Sequence, residues 1–169
     1  GITTTTGSVS INGTAGGGNN DGIRLGSLSS ITSSGAAAVS LTGAGVGTGF
    51  GVILAPVGGT NTATVQSTGG AITLTADTIN LNGSTGVESI TTGSHISGSV
   101  TLKPFTTGKD IALGASVVDS NMLLAIDILT ELQRITAGTL VLGDTSNTNS
   151  VTLSDTISPV LYTTLRLAS

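Results

Sequence analysis

One short phrase recurs through this chain: an apolar residue, one small or polar residue, then a second apolar residue, set among Gly, Ser, Thr and Asn. It stands at Val9-Ser10-Ile11, Ile23-Arg24-Leu25, Val39-Ser40-Leu41, Ile72-Thr73-Leu74, Ile79-Asn80-Leu81, Val100-Thr101-Leu102, Ile111-Ala112-Leu113, Leu140-Val141-Leu142, Val151-Thr152-Leu153 and Leu165-Arg166-Leu167. A period of two puts both apolar side chains on one face of an extended segment. Turn-forming residues close each phrase, so the chain is expected to form many brief strands, each with one buried face.

Composition decides what kind of core those strands share. The 169 residues suit one sizeable domain, and no shift in composition marks a second, so residues 1–169 are read as a single unit. Aromatics make up 2% and charged residues 8%. A compact globule is usually centred on large rings; a core this poor in them suits thin layers of Val, Ile and Leu stacked on one another.

The net charge of −4, with five scattered basic residues, argues against nucleic acid or an anionic membrane surface as partner. Mean hydropathy is positive, at +0.41. No run approaches the roughly 18 apolar residues of a spanning helix, since Met122-Leu123-Leu124-Ala125-Ile126 lies between Asp119 and Asp127. Cysteine is absent, which removes disulfides and thiolate metal sites. The opening Gly1-Ile2-Thr3 carries neither a basic nor an apolar leader. The chain is therefore expected to be soluble, and to be an internal or processed piece of a longer surface protein or a filament-forming unit.

The phrases recur at irregular intervals of about 7 to 21 residues, too variable for a strict short repeat but natural for coils with unequal loops. Gly98-Ser99-Val100-Thr101-Leu102 echoes Asn149-Ser150-Val151-Thr152-Leu153, and residues 109–114 resemble residues 138–143, as duplication of a structural unit would give. An antiparallel sandwich is the rival architecture. It ordinarily uses longer strands and aromatic cross-strand pairs, both scarce here. The reading is thus an all-β, parallel β-helix or β-solenoid, with about 20 to 30 residues per coil, about six to eight coils and a rod about 30 to 40 Å long. Residues 119–138 depart from the pattern. An apolar strand over 122–128 is expected there, then a short helical elbow near 129–136 in which Thr130 caps apolar residues at helical spacing.

Thr107-Gly108-Lys109-Asp110-Ile111-Ala112-Leu113-Gly114, followed by Leu129-Thr130-Glu131-Leu132-Gln133-Arg134-Ile135-Thr136-Ala137-Gly138-Thr139-Leu140-Val141-Leu142-Gly143-Asp144, resembles the repeat regions of filamentous-haemagglutinin-like adhesins. The resemblance is best over residues 98–169; Gly69-Gly70-Ala71-Ile72-Thr73-Leu74-Thr75-Ala76 matches a more generic coil phrase of the same proteins. It implies a right-handed parallel β-helix in a large bacterial protein exported by two-partner secretion and displayed outside the cell.

Candidate chemistry is sparse. His95, the single histidine, sits in a loop-like setting with no second ligand nearby in sequence. The carboxylates Asp21, Asp77, Glu88, Asp110, Asp119, Asp127, Glu131, Asp144 and Asp155 are dispersed. Coil stacking could gather two of them into a glycosidase-like or lyase-like groove, but few basic or aromatic residues remain to hold a sugar. Asn19-Asn20-Asp21-Gly22 is oxygen-rich without the serial repeat of calcium-binding β-rolls, so a corner held by Asx bonds is expected. Asn12-Gly13-Thr14 and Asn82-Gly83-Ser84 fit the glycosylation sequon, although Asn-Gly more often makes a tight turn. Outward Thr73, Thr101 and Thr152 suggest an ice-binding column, which Arg24, Ala112 and Val141 interrupt.

The expectation is a non-catalytic stalk or fibre segment of a secreted or cell-surface adhesin, with no catalytic, metal or cofactor residues and no individual binding residue assigned. Its partners would be a host, neighbouring-cell or matrix surface, glycans included, and either more of the same chain or a second copy end to end. Contacts are expected at the loop 16–22 and the elbow 119–135. The alternatives are a polysaccharide-binding or polysaccharide-cleaving β-helix and, after it, an ice-binding solenoid.

Overall fold

The computed structural model describes residues 1–81, 87–94, 96–114, 123–127, 131–157 and 161–169, with the backbone alone at 123–125 and 127. The chain coils so that equivalent strands stack in parallel. One face holds β1 (Ile2–Thr4), β4 (Ser29–Ser33), β7 (Thr62–Ser67), β10 (Val87–Thr91) and β14 (Ile135–Thr136). A second holds β2 (Val9–Thr14), β5 (Val39–Ala44), β8 (Ala71–Thr75), β11 (Ser99–Lys103), β15 (Thr139–Gly143) and β17 (Thr164–Ala168). A third begins with β3 (Ile23–Leu25), β6 (Val52–Leu54) and β9 (Ile79–Asn80), and a further sheet joins β12 (Lys109–Gly114), β13 (Leu123–Asp127) and β16 (Thr148–Leu153). Every recorded pairing is parallel. The fold is the expected parallel β-solenoid.

Register explains why the phrase repeats. On the second face Val9, Val39, Ile72, Val100, Leu140 and Leu165 stand one above another, and so do Ile11, Leu41, Leu74, Leu102, Leu142 and Leu167. Each phrase adds one rung to two aliphatic ladders. Leu41, Ile72, Leu74, Val100, Leu102, Leu140 and Leu142 have no accessible surface. Burying a side chain of this size is worth about 1.5–3 kcal/mol, so the ladders dominate cohesion between coils.

The first face is built differently. Ile2, Ile31, Val65, Ile90 and Ile135 make one aliphatic ladder. Beside it Ser33, Ser67 and Thr92 are buried, their hydroxyls spent on corner carbonyls: Ser67 donates to Ala37 at 2.7 Å and Thr92 to Ser97 at 2.5 Å. Hydroxyls there satisfy backbone that a tight corner leaves unpaired.

Coil length varies about the expected 20 to 30 residues: Val9 to Val39 spans 30 and Leu140 to Leu165 spans 25, while Val100 to Leu140 reaches 40. The longest sheet therefore holds six strands. Five steps of about 4.8 Å make that stack about 24 Å long, shorter than the expected rod.

The echoing segments do not stack. Residues 99–102 lie in β11 on the second face and 149–153 in β16 beside β12. Asn12-Gly13 is likewise no turn: it lies within β2, because a Cβ on Gly13 would stand 2.2 Å from the Gly22 carbonyl oxygen and only glycine allows that approach.

The apolar strand expected over 122–128 is present as β13 within its described residues 123–127. It pairs with β12 on the side away from β16 and packs beside β9, out of chain order. The elbow is a single 3-10 turn, Leu132–Arg134. Thr130 lies outside the described residues, and Glu131 occupies the cap position without a capping side-chain bond.

Candidate functional site

The loop 16–22 is the first expected contact point, and it is tied to the coil above. Glycine pairs pinch it and its neighbour out of the solenoid: a Cβ on Gly43 would lie 2.0 Å from the Gly51 carbonyl oxygen, matching the Gly13 and Gly22 crossing one coil below. Asp21 Oδ1 accepts from Phe50 N at 2.8 Å, Asn19 Oδ1 from Thr48 N at 3.2 Å, and Asn20 Nδ2 donates to the Gly17 carbonyl at 2.5 Å. The side chains of Asn19, Asn20 and Asp21 thus satisfy loop backbone, Asn20 as a donor and the other two as acceptors, and Arg24 closes on Asp21 Oδ2 at 2.9 Å. Two coils beyond Asp21, Asp77 repeats the arrangement by accepting from Phe105 N and Thr106 N at 3.0 and 2.8 Å.

The described part of the elbow turns inward, contrary to its expected role as an exposed contact. Glu131 is buried and its Oε1 accepts from Leu81 N at 2.9 Å. Arg134 reaches to 3.7 Å from Glu88 Oε2. Glu88 points into the core from β10, and neither of its oxygens has a hydrogen-bond partner. The elbow therefore serves as a plug in which charged residues close the corner between coils.

Asp110 and Asp144 are also spent on joining coils. Asp110 Oδ1 accepts from Ser150 Oγ at 2.6 Å and Asn149 Nδ2 at 2.9 Å, which hold its pKa below the ordinary aspartate value. Burial pushes Asp144 upward, but Lys103 at 2.9 Å and the N–H groups of Asn147 and Ser146 outweigh it, leaving that carboxyl lowered as well. Among the described residues, no three His, Asp or Glu side chains gather as a metal site. His95, Asp119 and the Asn82 sequon lie outside the described residues, and the Asp127 side chain is not described. Asn12 is exposed on β2.

The outer surface of the second face carries a feature that the sequence reading missed. Its central outward column runs Ser10, Ser40, Thr73, Thr101, Val141, Arg166, and the next runs Asn12, Thr42, Thr75, Lys103, Gly143, Ala168. Hydroxyls give way to small or apolar residues in the upper coils, and Gly143 is fixed there by a φ of +89°. The result is an open groove of about 550 Å³ lined by Thr73, Thr101, Lys103, Thr139, Val141 and Arg166, with Asp144 and Thr145 along one side. Finding it needed the register, because its residues are spread over almost 100 positions of sequence. A second cleft of about 150 Å³, between the loop 43–49 and Phe105, is bordered by Asp77 and the buried Lys109.

The chain matches no protein-family model, no curated protein and no solved structure.

Proposed function

We propose that this chain is a rigid, non-catalytic spacer: a stalk or fibre segment of a secreted or cell-surface adhesin of the filamentous-haemagglutinin kind, working outside a bacterial cell. The observation that carries the reading is the in-register stacking of two aliphatic ladders along six successive strands. Such a stack resists bending because each strand of the second face is paired on both edges except β2 and β17 at its two ends, and each coil gains its stability from its neighbours. Support also comes from the way the acids are spent: Asp21, Asp77, Asp110 and Asp144 all bind groups of the chain itself. Further coils of the same chain, or a second copy, would extend the ladders at either end, and the pinched loops would meet a host, neighbouring-cell or matrix surface repeatedly and weakly.

Pulling a single molecule by its two ends tests the reading. A spacer of stacked coils yields in successive events, each releasing one or more coils of 25 to 45 residues, or about 85 to 150 Å of chain per coil. These events should come at forces no lower than those that unfold an immunoglobulin domain in the same tether. Extension at lower force without discrete events would refute the spacer role.

A further inference from the structure

We infer that the groove on the outer second face is a binding site for an acidic oligosaccharide, its carboxylate or sulfate held by Arg166. The inference goes beyond the spacer role and stands independently of it.

Charge placement carries the first part. The six strands of this face contain two charged residues, Lys103 and Arg166; both are basic and both line the groove. The chain as a whole is acidic, at −4, and Asp144 beside the groove offsets Lys103, so Arg166 is the cation left over on this face. The states of the two cations differ. Lys103 is held at 2.9 Å by Asp144, whose other oxygen takes the N–H groups of Ser146 and Asn147. Arg166 is exposed and makes no hydrogen bond or ion pair among the described residues, so its planar fork of donors is open to an oxyanion.

The floor supplies the second part. Thr73 stands in register with Thr101, and Ser99 with Thr139, giving hydroxyls in two columns at strand spacing, about 4.8 Å, close to the length of one pyranose ring. Val141 separates Thr101 from Arg166 and offers an apolar contact for the C–H face of a ring. A volume of about 550 Å³ falls within the range of small-ligand sites. An acidic sugar meets all three features at once: ring hydroxyls on Thr and Ser, ring carbons on Val141, and its oxyanion on Arg166.

The test is calorimetric titration of the whole chain with tetragalacturonate, a heparin tetrasaccharide and maltotetraose, with amide shifts recorded in parallel. Tetragalacturonate should bind, shift Thr101, Thr139 and Arg166, and weaken roughly tenfold or more in Arg166→Ala. Arg24→Ala removes an exposed cation from the loop corner, and binding should survive it. Binding of the heparin fragment alone, with the same dependence on Arg166, would support the oxyanion site and name sulfate as its ligand. The inference is overturned if neither acidic probe binds at millimolar concentration, if maltotetraose binds as well as they do, or if Arg24→Ala weakens binding as much as Arg166→Ala.

Discussion

At residue scale, the solenoid is governed by close backbone crossings and by one ion pair whose buried carboxylate accepts no hydrogen bond. Gly43 has no room for a methyl group, since its Cβ would fall 2.0 Å from a carbonyl oxygen of the backbone, which cannot swing aside. Gly43→Ala is expected to lower stability by about 1–3 kcal/mol, as overpacking does. Gly16→Ala, where nothing lies within 4 Å, should leave the urea midpoint unchanged or slightly raised. Glu88 presents the opposite situation, a buried carboxylate with both oxygens unpartnered and its nearest countercharge 3.7 Å away on Arg134. Glu88→Gln removes the charge and keeps the shape, and is expected to stabilise the fold by about 1 kcal/mol or more. Arg134→Ala should destabilise it by about 1–3 kcal/mol, because the carboxylate stays buried alone. Urea unfolding with an unchanged m-value would check both.

At the scale of elements, neighbouring coils are joined by aliphatic ladders inside and by carboxylates at the corners. Asp110 and Asp144 both have folded pKa values below 3.8. An unfolded chain takes up these protons first, so the stability they contribute is present above about pH 4 and is lost as pH falls through the lowered folded values. Thermal melts should therefore show a decline beginning below about pH 4, and Asp110→Asn should flatten it. A melting temperature constant from pH 5 to about pH 2 would contradict this account of the corners. All ten apolar-x-apolar phrases lie in strands, with Leu81 just past the end of β9, since two aliphatic residues either side of a single residue leave an unambiguous period of two. The first face was illegible for a definable reason. β4 (SSITS) and β7 (TATVQS) each carry a single large inward residue and fill the adjoining inward positions with Ala, Ser or a corner hydroxyl, so the period of two vanishes from the hydropathy pattern.

At the scale of the whole molecule, six-strand stacking reconciles the irregular spacing of the phrases with a regular core. Loop length varies outside the ladders, and β13 returns to pair with β12 beside β9, so long coils cost no break in the second-face stack. The sequence carried the architecture but not the groove. Its residues come from four coils, and only stacking brings Arg166 over Val141 and Thr101. The elbow misled for a related reason: Glu131 and Arg134 look like surface charges along the chain, yet the turn folds them onto Leu81 and Glu88. The most direct test of a rigid stack is the distance between spin labels on Ser10→Cys and Arg166→Cys in this cysteine-free chain, since these positions stand in one column five strand steps apart. Pulsed electron–electron resonance should give one narrow peak near 24 Å, widened only by the label arms, at about five times the 4.8 Å strand spacing. A broad distribution, or a maximum beyond about 40 Å, would contradict the stack and the spacer built on it.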